Sequence, residues 1–217
     1  MYQPSHFEQT DPAALQRLMA DHPFASLIHT APDGRADADH LPLQWRAGAE
    51  GSAGVLSGHV ARANPLWQTA AGHEVLVVFQ GPQAYISPSW YPSKQGLGGK
   101  VVPTWNYTVV HAHGVLRTID SADDLLALLH ELTDHHEGGR SHPWSVADAP
   151  ADYIAGLLRA IVGIRIELSR IEGKWKLSQN RPQADRTGVA DALAGEADAS
   201  ARDLAGWIAD AGAPLRT

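Results

Sequence analysis

Three clusters between Ser57 and Tyr107 concentrate residues that neither strand nor helix formation requires. They are Ser57-Gly-His-Val-Ala-Arg-Ala-Asn-Pro65, Ala84-Tyr-Ile-Ser-Pro-Ser-Trp-Tyr91 and Pro103-Thr-Trp-Asn-Tyr107. The first reads as a strand end running into a helix, with Asn64 as cap and Pro65 in the first helical position, so that free backbone N–H groups face outward. His59 and Arg62 lie just before that start. A helix N-terminus beside a guanidinium is an anion site, and phosphate is its commonest occupant. The other clusters add Tyr85, Trp90, Tyr91, Trp105 and Tyr107, flat amphipathic groups suited to a planar ring with polar edges. Asn106, an amide between two aromatics, is expensive to bury without a partner. Ser87 and Ser89 either donate to a ligand or shape the Pro88 turn. Phosphate plus a flat ring describes a mononucleotide.

The pattern of elements that must hold these clusters is α+β. Asp11 as cap and Pro12 start a helix with Leu15, Leu18 and Met19 on one face, and His22-Pro23 stops it. Strands are expected at Phe24–Thr30, about Arg35–Trp45 and Gly54–Val60, with a Gly-rich hairpin at Ala47–Gly54. A short Pro65–Ala71 helix precedes a strand pair, Glu74–Gln80 and Gln83–Ser87, turning at Gly81-Pro82. A long strand lies within Lys100–Thr118, and Ser121 caps a helix over Ala122–Glu137. A shorter helix near Ala151–Ala160 leads into Ile161–Ser169 and a hairpin through Glu172-Gly173. The Ala-rich tail, about Asp185 to Ala211, reads as helical and docked by Leu193, Leu204, Trp207 and Ile208. Six or seven such strands with interrupting helices fit a small barrel, since closure removes exposed edges. With no internal repeat and no dividing linker, one domain over residues 1–217 is the expectation.

The strings also resemble a known family. Met1-Tyr2-x-Pro4-x-x-Phe7, Pro23-Phe24-Ala25, His40-Leu-Pro42, Gly58-His-Val-Ala-Arg-Ala-Asn-Pro65, Phe79-x-Gly81-Pro82, Tyr85-x-Ser-Pro-Ser-Trp-Tyr91, Val102-Pro-Thr-Trp-Asn-Tyr107, Ile161-Val-Gly163 and Lys176-Leu-Ser-Gln-Asn-Arg181 follow in order. Together they are similar to the PaiB family of FMN-binding negative transcriptional regulators. The resemblance implies an FMN-binding split β-barrel with flanking helices, a homodimer, and the flavin at or near the subunit boundary. On this reading Arg62 and the Asn64-Pro65 helix start bind the FMN phosphate, while Trp90, Tyr91, Trp105, Asn106 and Tyr107 surround the ring. His40, His59, Ser87 and Lys176 are further contacts. Each has a plainer reading: Arg62 as a bridge to a carboxylate, His59 as a core histidine, the aromatics as core or interface, Lys176 as a solvated strand end.

Composition narrows the function classes. The 217 residues include 24 acidic against 17 basic side chains, a formal charge of −7, and no cysteine. That balance opposes direct DNA binding, which rests largely on phosphate neutralisation, and no basic recognition helix is visible. Without cysteine there are no disulfides, zinc-thiolate sites or Cys nucleophiles. No apolar run approaches a membrane span, and the polar opening Met1-Tyr-Gln-Pro-Ser-His lacks a signal-peptide pattern, so a cytoplasmic protein is expected. Twelve histidines raise the question of metal. At His130-Glu-Leu-Thr-Asp-His-His-Glu137, however, the fourth position after His130 is Asp134, so the His-Glu-x-x-His spacing fails and no metal is assigned. No Gly-x-Ser-x-Gly elbow and no paired catalytic carboxylates are present, so any chemistry belongs to the cofactor. The alternatives are a flavin-dependent oxidoreductase, or a haem or other small-ligand protein on a related barrel, for which His111 and His113 share one strand face.

Overall fold

The computed structural model describes residues 1–49, 51–96 and 98–210. Ala211, the end of the expected helical tail, lies outside them, as do Glu50 of the expected hairpin and Leu97. In chain order the elements are β1 (Glu8–Gln9), α1 (Pro12–Asp21), β2 (Phe24–Thr30), β3 (Ala36–Pro42), β4 (Gln44–Arg46), β5 (Val55–Ala61) and α2 (Leu66–Thr69). There follow β6 (Glu74–Ile86), β7 (Thr104–Ile119), α3 (Ala122–Glu137), α4 (Ala151–Leu158), β8 (Ile161–Lys176), α5 (Gln183–Ala194) and α6 (Ala199–Asp210). The class is α+β. The hydrogen-bonded path runs β3-β2-β6-β7-β8-β5-β4, with β1 added on β8, and it ends at β4 without closing.

The chain divides into two compact units, one of Met1–Leu18, Gln80–Val110 and Glu172–Thr217, the other of Met19–Phe79 and His111–Ile171. In the second unit β2 pairs antiparallel with β3 from Phe24↔Pro42 to Thr30↔Ala36. Its alternating burial puts Ala25, Leu27 and His29 inward, the period of a strand with one face on a core. The single strand expected over Arg35–Trp45 is broken at Leu43, whose N–H donates to the Pro23 carbonyl. The break lets the chain change partners, since β3 pairs with β2 and β4 with β5. Ser121 caps α3 by accepting from the Asp124 N–H, as its position predicts. Leu125 and Leu128 of α3 close over Gly163 of β8, where a Cβ would lie 3.0 and 2.9 Å from their Cδ2 atoms.

In the first unit two expected turns are absent for a shared reason. Gly81-Pro82 and Glu172-Gly173 both lie inside continuous strands, β6 and β8. A Cβ on Gly81 would meet Thr108 Oγ1 at 2.3 Å and Leu18 Cδ1 at 2.9 Å. One on Gly173 would meet Leu15 Cδ2 at 2.2 Å and Gln9 Cβ at 3.1 Å, because β1 crosses there in the register Gln9↔Gly173. These glycines admit a close neighbour and do not turn the chain. Pro82 is tolerated because β2 pairs with β6 only at Leu76, Val77 and Val78, so its missing N–H breaks no β2 bond. The tail forms α5 and α6, with Leu193, Leu204 and Ile208 buried and Trp207 edge-on to Trp175 at 5.8 Å.

Gly173→Ala should therefore destabilise by about 1–3 kcal/mol through overpacking. Gly206→Ala, in α6 with nothing within 4 Å of its Cβ, should stabilise by about 0.5–1 kcal/mol. Thermal melting should show opposite shifts of Tm for the two variants, and equal shifts would refute the close-approach account.

Candidate functional site

The partner change at Leu43 positions a groove in the second unit. Asp39, His40, Leu41 and Pro42 of β3, with His59, Val60 and Ala61 of β5, Asn64 and Ile161, line an open groove of about 410 Å³. That volume is within the range of small-molecule sites, about 300–1,000 Å³. His59 faces outward on β5 between buried Gly58 and Val60. It keeps contact with water, yet the groove walls remove enough solvent to hold its pKa below the ordinary imidazole value of 6.5. His40 Nδ1 lies 3.0 Å from Ser26 Oγ, and its ring stands 6.4 Å from that of Phe24. Phe24, 68% exposed, is a flat surface beside the groove that composition alone did not single out.

Asn64 does cap, but the helix it caps is a single turn. Its Oδ1 accepts the Leu66 N–H at 2.8 Å, and its Nδ2 donates to Asp39 Oδ1 at 2.5 Å. The expected Pro65–Ala71 helix shortens to Leu66–Thr69, and one of its first N–H groups is already satisfied. Arg62 is also placed differently from the phosphate role read from the sequence. It does not line the groove; its Nε donates to the Arg159 carbonyl at 2.9 Å, and its Nη2 to the Ile161 carbonyl and Asp120 Oδ1. Three acceptors, at the C-cap of α4, the start of β8 and the residue after β7, outcompete solvent for the fork, so Arg62 is a clamp on the fold. Among the described residues, neither Lys nor Arg lines the groove.

The first unit holds a separate group of the residues singled out in sequence, and here three separate strings converge. Asn106 is 1% exposed and donates through Nδ2 to Ser178 Oγ at 2.8 Å, while its Oδ1 has no partner. Ser178 holds φ at +62°, an uncommon conformation for a residue with a side chain. Lys176 Nζ donates to Thr104 Oγ1 at 2.6 Å. Arg181 stacks on the Tyr91 ring at 4.9 Å. Tyr91 is 2% exposed and burial pushes its phenol above the usual pKa, so it is a core residue and not an open ring contact. Gly188 of α5 lets the helix seat closely there: a Cβ on it would lie 2.4 Å from the Trp90 carbonyl oxygen and 3.0 Å from Pro92 Cδ.

Trp90 stays half-buried, and Ser87 spends its hydroxyl on Ser89, 2.6 Å from Ser89 Oγ and accepting the Ser89 N–H, which shapes the Pro88 turn. Exposed flat surface remains at Tyr85 and Trp105, whose rings lie 6.3 Å apart with Trp105 Nε1 held by Gln83. Tyr107 takes Lys174 Nζ over its ring at 5.5 Å. Within these strings Tyr91 and Asn106 are buried, while Tyr85 and Trp105 are exposed.

Residues 1–170 match the family described as "Putative FMN-binding domain". Over 211 residues the chain is 33% identical to the "Protease synthase and sporulation protein PAI 2" of Bacillus subtilis, covering 97% of each. The chain belongs to this family. The PaiB resemblance carried by the motifs is thereby shown, and FMN is the family's cofactor. Among solved structures, the FAD and haem binding protein from Mycobacterium smegmatis matches with a TM-score of 0.55 at 17% identity, over 78% of this chain and 73% of that one. The flavocytochrome Anf3 from Azotobacter vinelandii matches at 0.53 and 12%, over 78% and 69%. These two likenesses establish a split-barrel-like fold. No helix among the described residues is long and apolar enough to cross a membrane.

The polar lining of the groove, two imidazoles, an amide and the Asp39 carboxylate, with the Phe24 ring flanking it, can meet the donors and acceptors of a flavin ring edge. Arg62→Ala should lower Tm by roughly 2–8 °C, from about 1–2 kcal/mol lost after solvent screening, through loss of the clamp. His59 should titrate below 6.5 by NMR. Because the folded state then binds that proton more weakly than the unfolded chain, its contribution to stability is present above about pH 6.5 and lost as pH falls through the folded value. His59→Gln should remove that part of the acid sensitivity, and a folded value above 6.5 would contradict the desolvated groove.

Proposed function

We propose that this PaiB-type chain binds the FMN ring in the groove between β3 and β5, with His59 and His40 at its polar edge and Phe24 flat beside it. The observation that carries this is the gathering of His40 from one sequence string and His59 and Asn64 from another around one open groove, where burial holds the His59 imidazole below its ordinary pKa. A neutral imidazole both donates and accepts, which is what a ring edge of alternating carbonyl and N–H groups requires. When bound, the flavin would supply electron transfer; the protein's part is to orient it and hold protons at His59. The phosphate takes no cation from the groove lining, and Arg62 is reassigned to the clamp.

The finer role follows the family resemblance. The name of the Bacillus relative ties that protein to protease synthesis and sporulation, and the same kind of role is proposed here as negative regulation exerted through a partner or the flavin state. A formal charge of −7 argues against grip on a duplex. A homodimer is part of the reading, with exposed Tyr85, Trp105 and Val102 as the apolar surface it would cover.

FMN titration of the purified protein, followed by flavin fluorescence, tests the assignment. His59→Ala should weaken binding about three- to tenfold, the worth of one neutral hydrogen bond, and Phe24→Ala by a similar factor. Unchanged affinity in both variants, with loss in Trp105→Ala, would move the flavin to the strand face of the first unit.

A further inference from the structure

A second cavity lies on the other side of Asn64. His29, Asp37, Asp39, Asn64 and Thr69 give it polar walls, and Pro32, Leu66 and neighbouring alanines and prolines its apolar ones, around a volume of about 570 Å³. Its electrostatic character is the opposite of an anion site. Asp37 and Asp39 bring two carboxylates, and no Lys or Arg lines it. Asp39 is held by Asn64 through Oδ1, which leaves Oδ2 turned toward His29 Nε2 at 3.8 Å, beyond hydrogen-bond length.

His29 is the independent sign that this wall serves a ligand. The residue is 7% exposed and lines the cavity, its Nδ1 is buried without a hydrogen-bond partner, and its Nε2 falls short of the one carboxylate beside it. A strand position facing a core is normally apolar, and a buried imidazole with Nδ1 unsatisfied is costly. A donor entering between His29 and Asp39 would complete Asp39 Oδ2. The carboxylates and imidazole of this cavity are not among the described groups whose ligand atoms converge within 4.8 Å, so a bare metal ion is a poor occupant. A larger cation with several N–H donors and an apolar body suits both the spacing and the Pro32 and Leu66 walls.

We propose that this cavity is a binding site for a small organic cation, a primary ammonium group on a short aliphatic chain, with the ammonium between Asp37, Asp39 and His29. The proposal is independent of the flavin assignment, because His29 and Asp37 line only this cavity while His40 and His59 line only the groove. n-Butylammonium is the probe, with n-butanoate as the matched anion, measured by calorimetry on the full chain with and without saturating FMN. Wild type should bind the ammonium and not the carboxylate. Asp37→Asn, an exposed change that leaves the core untouched, should weaken the ammonium at least fivefold without altering FMN affinity, and His29→Gln should weaken it further if it folds. Absence of ammonium binding, equal binding of the carboxylate, or an ammonium affinity unchanged in Asp37→Asn would each overturn the site. Loss of FMN binding in His59→Ala with ammonium binding intact would leave this site standing whatever becomes of the groove.

Discussion

The short stretch from Ala61 to Pro65 is tied down on two sides, and the second unit is organised around those ties. Arg62 reaches to the carbonyls of Arg159 and Ile161 and to Asp120, while two residues later Asn64 reaches to Asp39 and caps Leu66. Both lie past the end of β5 at Ala61, where the chain leaves the strand, and the two side chains take different partners. Trp67 adds a third tie, donating its indole N–H to the Arg62 carbonyl at 2.9 Å. Because both charged and amide groups are committed to protein acceptors, the segment between them is rigid enough to form the common ridge of two cavities.

Much of this was legible in the sequence, and the rest was hidden for identifiable reasons. Local rules worked where local energy decides: Ser121 caps a helix of the expected bounds, and Pro12 opens α1. They failed where a distant neighbour decides. Gly81 and Gly173 carry the composition of turns, yet their role is to admit Thr108 and Leu15, residues 27 positions later and far earlier in the chain respectively, and no window of sequence shows that. Tyr91 and Trp105 are alike in type, and only the seating of α5 through Asp185, which accepts from Ser93 N–H and Oγ, decides that the first is sealed and the second open.

The polar interior of the first unit shows the same dependence. Asn106 was marked as an amide in need of a partner, and the partner is Ser178, held in a left-handed backbone conformation that a serine adopts at a cost of order 1 kcal/mol or more. A hydrogen bond of 2.8 Å in a buried setting offsets that strain only in part, and Asn106 Oδ1 remains unsatisfied. Two departures from the ordinary at one contact, joining two strings that resemble the family pattern, mark the Asn106–Ser178 pair as a place where the chain gives up stability for geometry.

Asp39 explains how one ridge can separate cavities of different character. A carboxylate in the wall of the groove would raise the pKa of a neighbouring imidazole if its charge were felt there. His59 is instead lowered, with desolvation as the cause. Oδ1 accepts from the Asn64 amide and Oδ2 faces His29, and at His59 burial is the effect that prevails. The groove then presents the His59 imidazole, held below its ordinary pKa, beside the shared Asp39, while the cavity behind it adds a second carboxylate, Asp37. A change at Asn64 would release that carboxylate, and the electrostatics of both cavities would shift together.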